Sequence, residues 1–170
     1  MLDSSKWSEE YVGGGITGEI RELAYQLYKV GMPFGTYQEV SFVLSFVQQV
    51  IKYQMEAGEY PRYPFETLVD EKGDCEDFSI LGAAVLKCMG YEVALLVVLG
   101  HAALGVAGAT GLPGVFVERN GLRYYYCEMT AEGWKIGQMP KEYEGKKMEV
   151  FPVPSPPAKV VRLEEATVAA

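Results

Sequence analysis

Lys72-Gly73-Asp74-Cys75-Glu76-Asp77-Phe78-Ser79 carries the clearest signal in this chain. A glycine, an acid and a cysteine, with two more acids behind them, run straight into a long apolar segment, which is how a helix begins. Asp74 stands where an N-cap carboxylate accepts from unpaired backbone N–H groups, and Asp77 follows three residues later at the capping-box position. Cys75 is then the first helical residue, at the positive end of the macrodipole, a setting that favours a reactive thiolate over a thiol. The plainer reading is a small residue at an ordinary cap, and the rest of the chain has to decide between the two.

Downstream of Cys75 the helix is expected to run through Ile80, Leu81, Ala84, Val85, Leu86 and Cys88 to Met89, with Gly90 as its stop. It is apolar nearly all round, so it should be the central helix with the fold built about it. Upstream, Thr17 caps a helix whose Ile20, Leu23, Ala24 and Leu27 recur at helical spacing as far as Gly31 and Pro33. A second helix opens near Thr36, with Glu39 as capping-box partner, and carries Val40, Val43, Leu44, Val47, Val50 and Ile51 on one stripe. Phe42, Phe46 and Tyr53 broaden that stripe. Between it and the cysteine lies GEYPRYP (58–64), whose X-Pro steps hold Tyr60 and Tyr63 extended. These tyrosines could wall a substrate groove or pack a plain connector.

After Gly90 the pattern turns to strands. Residues 91–99 are β-rich, Gly100 interrupts, and 102–106 continues extended before a glycine-rich loop. Residues 114–118 and 122–128 form a hairpin about Asn120-Gly121, a strong turn signal, and Val150-Phe151 supplies a last edge strand. Helices first and an antiparallel sheet second define an α+β domain. It is expected to span 16–151, between a loose lead-in (1–15) ending in three glycines and a Pro-rich extended tail (152–170). Both ends suit a domain tethered within a longer polypeptide.

At 170 residues the chain is one domain's worth. A net charge of −8 leaves no basic face to neutralise phosphates, which argues against a nucleic-acid partner. No apolar run is long enough to span a membrane. No signal peptide is visible, so a soluble, cytoplasmic protein is the default expectation, with the compartment itself unassigned. Cys75, Cys88 and Cys127 show no CxxC or Cys/His ligand spacing, which argues against structural zinc. Cys88 in the apolar helix and Cys127 in an aromatic strand read as inert buried thiols.

The chain has one histidine, His101, immediately after Gly100 at a strand edge. A lone histidine is often structural, but its place in the order of elements matters. A helix-start cysteine is followed by a strand histidine and then by Glu128, an acid at the end of the neighbouring hairpin. A thiol attacking an amide needs a base that later protonates the leaving amine, and that base needs a carboxylate on its other nitrogen. Glu128 could also be a solvated strand end.

The segments GDCEDFSILGAAVLKCMGYEVALL, GHAALGV and YYYCEMT with the following Gly133-Trp134, Ile136-Gly137 and Pro140 resemble the transglutaminase-like superfamily. They are most similar to its archaeal and bacterial transglutaminase-like cysteine proteases. The resemblance covers roughly Thr36 to Pro140. It implies a papain-like core, with Cys75 as nucleophile, His101 as base and Glu128 as third member, where the wider superfamily commonly has Asp. It further implies acyl transfer through a thioester on a protein or peptide substrate. The oxyanion would be held by the Cys75 backbone N–H and a second donor, for which Gln48 is the candidate, although the helical wheel puts it on the polar side with Ser45 and Lys52, and Gln49, nearer the aromatic face, is the alternative. Trp134 packs over the core or walls the groove. No cofactor is expected; Asp74 and Glu76 are candidates for calcium, although capping already accounts for Asp74. A cysteine peptidase or amidase is the first reading. A transglutaminase, which admits an amine to the acyl-enzyme, and a non-catalytic binding module of the same fold are the alternatives.

Overall fold

In the computed structural model, which describes residues 6–55, 58 and 60–154, the expected first two helices form as α1 (Gly18–Gly31) and α2 (Thr36–Val50). Thr17 caps α1, its hydroxyl accepting from the Ile20 N–H at 3.4 Å. The N-cap of α2 is Gly35, at φ +91°, and Thr36 becomes the first helical residue. α2 also stops before Tyr53. Ile51 turns extended, and Lys52–Tyr53 (β1) pairs in parallel with Lys72–Gly73 (β2). The Lys52 N–H donates to Glu71 O and the Gln54 N–H to Gly73 O, both at 2.8 Å. The end of α2 is thereby fastened to the residues just ahead of Cys75, on either side of the short helix α3 (Pro64–Asp70).

Helix α4 (Cys75–Cys88) is central, as its composition requires. Every residue from Asp77 to Leu86 is buried. It packs against α1 and α2 on one side and against β3 (Glu92–Val98) and β4 (His101–Ala107) on the other. Gly82 lets it approach closely, since a Cβ there would lie 2.9 Å from Met129 Cε and 3.2 Å from Leu104 Cδ2.

With β5 (Phe116–Arg119), β6 (Leu122–Cys127) and β7 (Glu149–Pro152), the sheet has the order β5-β6-β4-β3-β7 and is antiparallel throughout. Asn120-Gly121 forms the expected two-residue turn, with φ of +53° and +79°. Leu99-Gly100, read from sequence as an interruption, is a turn of the same kind, with φ of +48° and +75°. It pairs Val98 with His101 and makes the histidine the first residue of β4. Val93, Leu95, Leu104, Val106 and Cys127 face the helices. Ala94, Leu96, Val98, Ala103, Tyr124, Tyr126 and Val150 form a second core on the other face, against Met139, Tyr143 and Met148. The fold is α+β, as expected.

The two ends differ from expectation within the described residues. The lead-in is ordered from Trp7, as a π-helical turn (Trp7–Val12) and a 3₁₀ turn (Gly13–Gly15), because Trp7 and Val12 join the core. Gly15 is required there, since a Cβ would stand 2.4 Å from Pro64 Cδ. At the other end β7 includes Pro152, and Val153 is buried with its N–H on Val93 O at 2.9 Å. Residues 1–5 of the lead-in and 155–170 of the tail lie outside the described residues. Among the described residues no helix is long and apolar enough to cross a membrane.

Candidate active site

The start of α4 is built as its sequence dictates. Asp74 accepts from the Glu76 and Asp77 N–H groups at 3.2 and 3.4 Å, and Asp77 returns the capping box by accepting from the Asp74 N–H at 3.1 Å. Burial, and then the charge of Asp77, push the Asp74 carboxyl up to about 6 against the pull of its backbone donors.

Asp77 does more than cap. It is 1% exposed, and it also accepts from the Arg62 N–H at 2.7 Å and from Arg62 Nη1 at 3.1 Å. Arg62 Nε in turn reaches Asp70 at 3.1 Å. The arginine of GEYPRYP thus pins this loop to the helix start. Sequence reading passed over it, although a single cation between two X-Pro steps, with acids downstream, was a usable signal.

Gly73 fits the same arrangement, for a Cβ there would fall 2.5 Å from Asp77 Cβ and 2.8 Å from its Oδ2. Gly73→Ala is therefore expected to displace Asp77 and to destabilise the fold by about 1–3 kcal/mol, measured by urea unfolding. A cost under a few tenths would show that Asp77 can move freely.

Cys75, His101 and Glu128 come together from the N-terminus of α4, the start of β4 and the chain just past β6. The Ala102 N–H donates to Cys75 Sγ at 3.5 Å. Ser79 Oγ donates to Cys75 O at 2.8 Å and lies 3.4 Å from Ala102 O, stitching helix to strand. His101 Nε2 stands 3.0 and 2.9 Å from Glu128 Oε1 and Oε2, so Nδ1 is the ring nitrogen not taken up by the carboxylate. Burial opposes the charged imidazole, but the hydrogen bonds to Cys75 and Glu128 outweigh it and raise His101 to about 9. The Tyr143 ring stacks on the imidazole at 4.9 Å and 9°.

Glu128 is no solvated strand end; it is 2% exposed. Tyr126 OH donates to its Oε2 and Thr130 Oγ1 to its Oε1, each at 2.8 Å. Burial would raise this carboxyl, and the bonds from His101, Tyr126 and Thr130 prevail and hold it below the ordinary range.

The remaining candidates are placed differently. Gln48 is buried rather than on a polar side, and its Nε2 donates to Glu128 O at 2.9 Å and Trp134 O at 3.1 Å. With both hydrogens committed, it ties α2 to the loop after β6 and offers no spare donor to an oxyanion. Trp134 is half-buried, and its carbonyl belongs to that tie. Tyr63 packs on Tyr11 with centroids 4.7 Å apart and is the N-cap residue of α3, while Tyr60 is 71% exposed.

Two tyrosines that sequence did not propose for the site, Tyr53 and Tyr143, feel the charge of Cys75. Tyr53, on β1, packs against Phe78 at 6.2 Å and is 43% exposed. Burial, and then Cys75, Asp74, Glu76 and Glu128, raise its phenol. Burial raises Tyr143 as well, followed by Glu142, Glu128, Cys75 and Tyr53. Both hydroxyls therefore lie in the field of the site's acids.

Among the described residues no group of three or more His, Cys, Asp or Glu is arranged to hold a metal ion. Asp74, a calcium candidate with Glu76, uses its carboxylate as the cap. Cys127 is fully enclosed and pushed up to about 12 by burial; Cys88 is half-buried rather than buried, and its thiol is raised by burial too. A cavity of about 430 Å³ lined by Arg21, Ala24, Tyr25, Tyr28, Cys88 and Met89 lies at the far end of α4. By helix rise it is roughly 20 Å from Cys75.

Comparison with known proteins adds the following. A family model described as a transglutaminase-like domain matches residues 19–110, a span that takes in Cys75 and His101 and ends before Glu128. No curated protein matches. A solved structure of Legionella pneumophila LapG (EGTA-treated) is similar at 20% identity, covering 75% of this chain and 91% of that one, with a TM-score of 0.34.

Proposed function

The chain belongs to the transglutaminase-like family, and from that premise we propose that it is a cysteine hydrolase acting on amide bonds in protein or peptide substrates. Cys75 is the nucleophile, His101 the acid and base, and Glu128 the group that orients the imidazole. The observation that carries this reading is a bridge. One imidazole has Nε2 on a buried carboxylate at 2.9 Å and lies within reach of a helix-start cysteine that helps to raise it.

A protonated imidazole against a thiol favours the thiolate. The sulfur attacks the amide carbonyl carbon, and the carbonyl electrons move onto oxygen. The Cys75 N–H, at the first helical position, faces no earlier carbonyl of its own helix and suits the oxyanion. Collapse of this intermediate breaks the C–N bond, with His101 giving its proton to the departing amine and leaving a thioester. Water then attacks the thioester carbon as His101 takes a proton from it. The C–S bond breaks, the acid is released, and the cysteine and charged imidazole are restored. Glu128 stays ionised throughout. Tyr53, Tyr143 and the exposed Tyr60 supply apolar rim for the substrate chain.

Cleavage of a mixed peptide-amide library, read by mass spectrometry, tests the proposal. Cys75→Ala is expected to lower turnover by about 10³-fold or more, with the fold retained. Unchanged cleavage in that variant would refute it. A labelled primary amine added to the same assay separates the two acceptors. Free acid products support hydrolysis, whereas amine incorporation in preference to water would make the chain a transglutaminase.

A further inference from the structure

Tyr126, Glu128 and Thr130 alternate along the chain, and the alternation brings two hydroxyls to one carboxylate. Tyr126 OH donates to Oε2 and Thr130 Oγ1 to Oε1, each at 2.8 Å, while His101 Nε2 sits between the two oxygens. A glutamate has one more rotatable bond than an aspartate, so a carboxylate on the longer stem needs more restraint to hold one orientation. Here each oxygen is tethered by its own hydroxyl donor in addition to the imidazole. The backbone is tethered as well, since Gln48 Nε2 donates to Glu128 O at 2.9 Å.

We propose that Tyr126 and Thr130 are positioning residues, a two-hydroxyl clamp that fixes the Glu128 carboxylate across His101 Nε2 and thereby holds Nδ1 toward Cys75. The proposal rests on the catalytic reading of Cys75, His101 and Glu128. It explains how a glutamate can serve at the third position. The clamp limits the motion its extra methylene would allow.

The plain alternative is that the hydroxyls satisfy a buried acid and do nothing for the imidazole. The two differ in sign. Without the clamp, a mobile carboxylate spends less time on Nε2, and the imidazolium loses support. If the hydroxyls only compete for carboxylate lone pairs, their removal leaves more electron density for Nε2, and the imidazolium is unchanged or strengthened. The ionisable groups facing Glu128 are His101, Tyr126, Tyr53, Tyr143 and Cys127, with Cys75 beyond the imidazole.

Because the chain has one histidine, NMR titration of the imidazole reports His101 without assignment ambiguity. The titration is run on the wild type, Tyr126→Phe, Thr130→Val, the double variant, Thr130→Ser and Glu128→Gln. The clamp predicts a midpoint lowered by about half a unit in each single variant, by about one unit in the double variant, and unmoved in Thr130→Ser, which keeps the hydroxyl. Midpoints that stay put or rise in the folded Phe and Val variants overturn it. Should Tyr126→Phe not fold, the Thr130 Val and Ser pair decides by itself. The wild-type and Glu128→Gln titrations read the His101–Glu128 couple independently, so a failed clamp and a failed catalytic reading give different patterns.

Discussion

Glu128→Gln should lower the His101 titration midpoint clearly below its value of about 9. The carboxylate supports the imidazolium by a hydrogen bond at 2.9 Å and by its charge, both inside a largely buried site. Glutamine keeps the shape of the side chain but removes the charge, while the burial that disfavours the imidazolium remains. Only the interaction with Cys75 is left to oppose it. A midpoint still near 9 in this variant would assign the support to Cys75 alone and remove Glu128 from the account.

The same shift gives stability a pH dependence. A histidine raised on folding contributes its full stabilisation below the unfolded value of 6.5 and loses it as pH rises through the folded value of about 9. That contribution amounts to at most about 3 kcal/mol. Wild-type stability should therefore decline between roughly pH 6.5 and 9, and Glu128→Gln should flatten that decline, as urea unfolding at a series of pH values would reveal.

The second large effect is expected at Asp77, which lies in the same helical turn as Cys75. Asp77→Ala removes the acceptor for two Arg62 donors and for the Asp74 N–H, and with it half of the capping box. Arg62 is 13% exposed and would keep Asp70, itself 45% exposed, as an ion-pair partner. Breaking a buried pair by deleting one member costs about 3–5 kcal/mol, because the remaining charge stays desolvated. Asp77→Asn keeps an acceptor and loses the charge, so it should cost less, about 1–3 kcal/mol. Denaturant midpoints measure both. If Asp77→Ala cost no more than an ordinary surface change, the Arg62 bridge would carry no weight in holding the cysteine-bearing turn.

These effects bear on which parts of the molecule were legible in the sequence. The start of α4 was, because capping is local. Asp74, Cys75 and Asp77 lie within one turn, and their roles follow from spacing. The Asn120-Gly121 turn was legible for the same reason, being set by its own two residues. Leu99-Gly100 escaped because leucine is an uncommon occupant of a left-handed position, so the pair reads as a break in a strand. α2 was drawn too long because Tyr53 continues its apolar stripe. What ends the helix is pairing with residues 72–73, and nothing near Tyr53 announces that. Gln48 was misplaced by the same limit. A helical wheel ranks faces by polarity, whereas this glutamine is buried because two distant carbonyls, those of Glu128 and Trp134, need donors. Arg62 and the Tyr126–Glu128–Thr130 clamp are likewise tertiary matters, settled by which partners the fold brings within reach. The types of the candidate residues could be read from sequence; their hydrogen-bond partners required the fold.

The central claim is that Cys75 and His101 work as one chemical unit, and site-resolved alkylation tests it most directly. Brief iodoacetamide labelling across pH 5 to 10, followed by peptide mass spectrometry, reports Cys75, Cys88 and Cys127 separately in one sample. At neutral pH Cys75 should label at least about tenfold faster than the half-buried Cys88, Cys127 should stay unlabelled, and His101→Ala should remove most of the Cys75 advantage. Labelling of Cys75 no faster than Cys88, or unaltered by His101→Ala, would contradict the account.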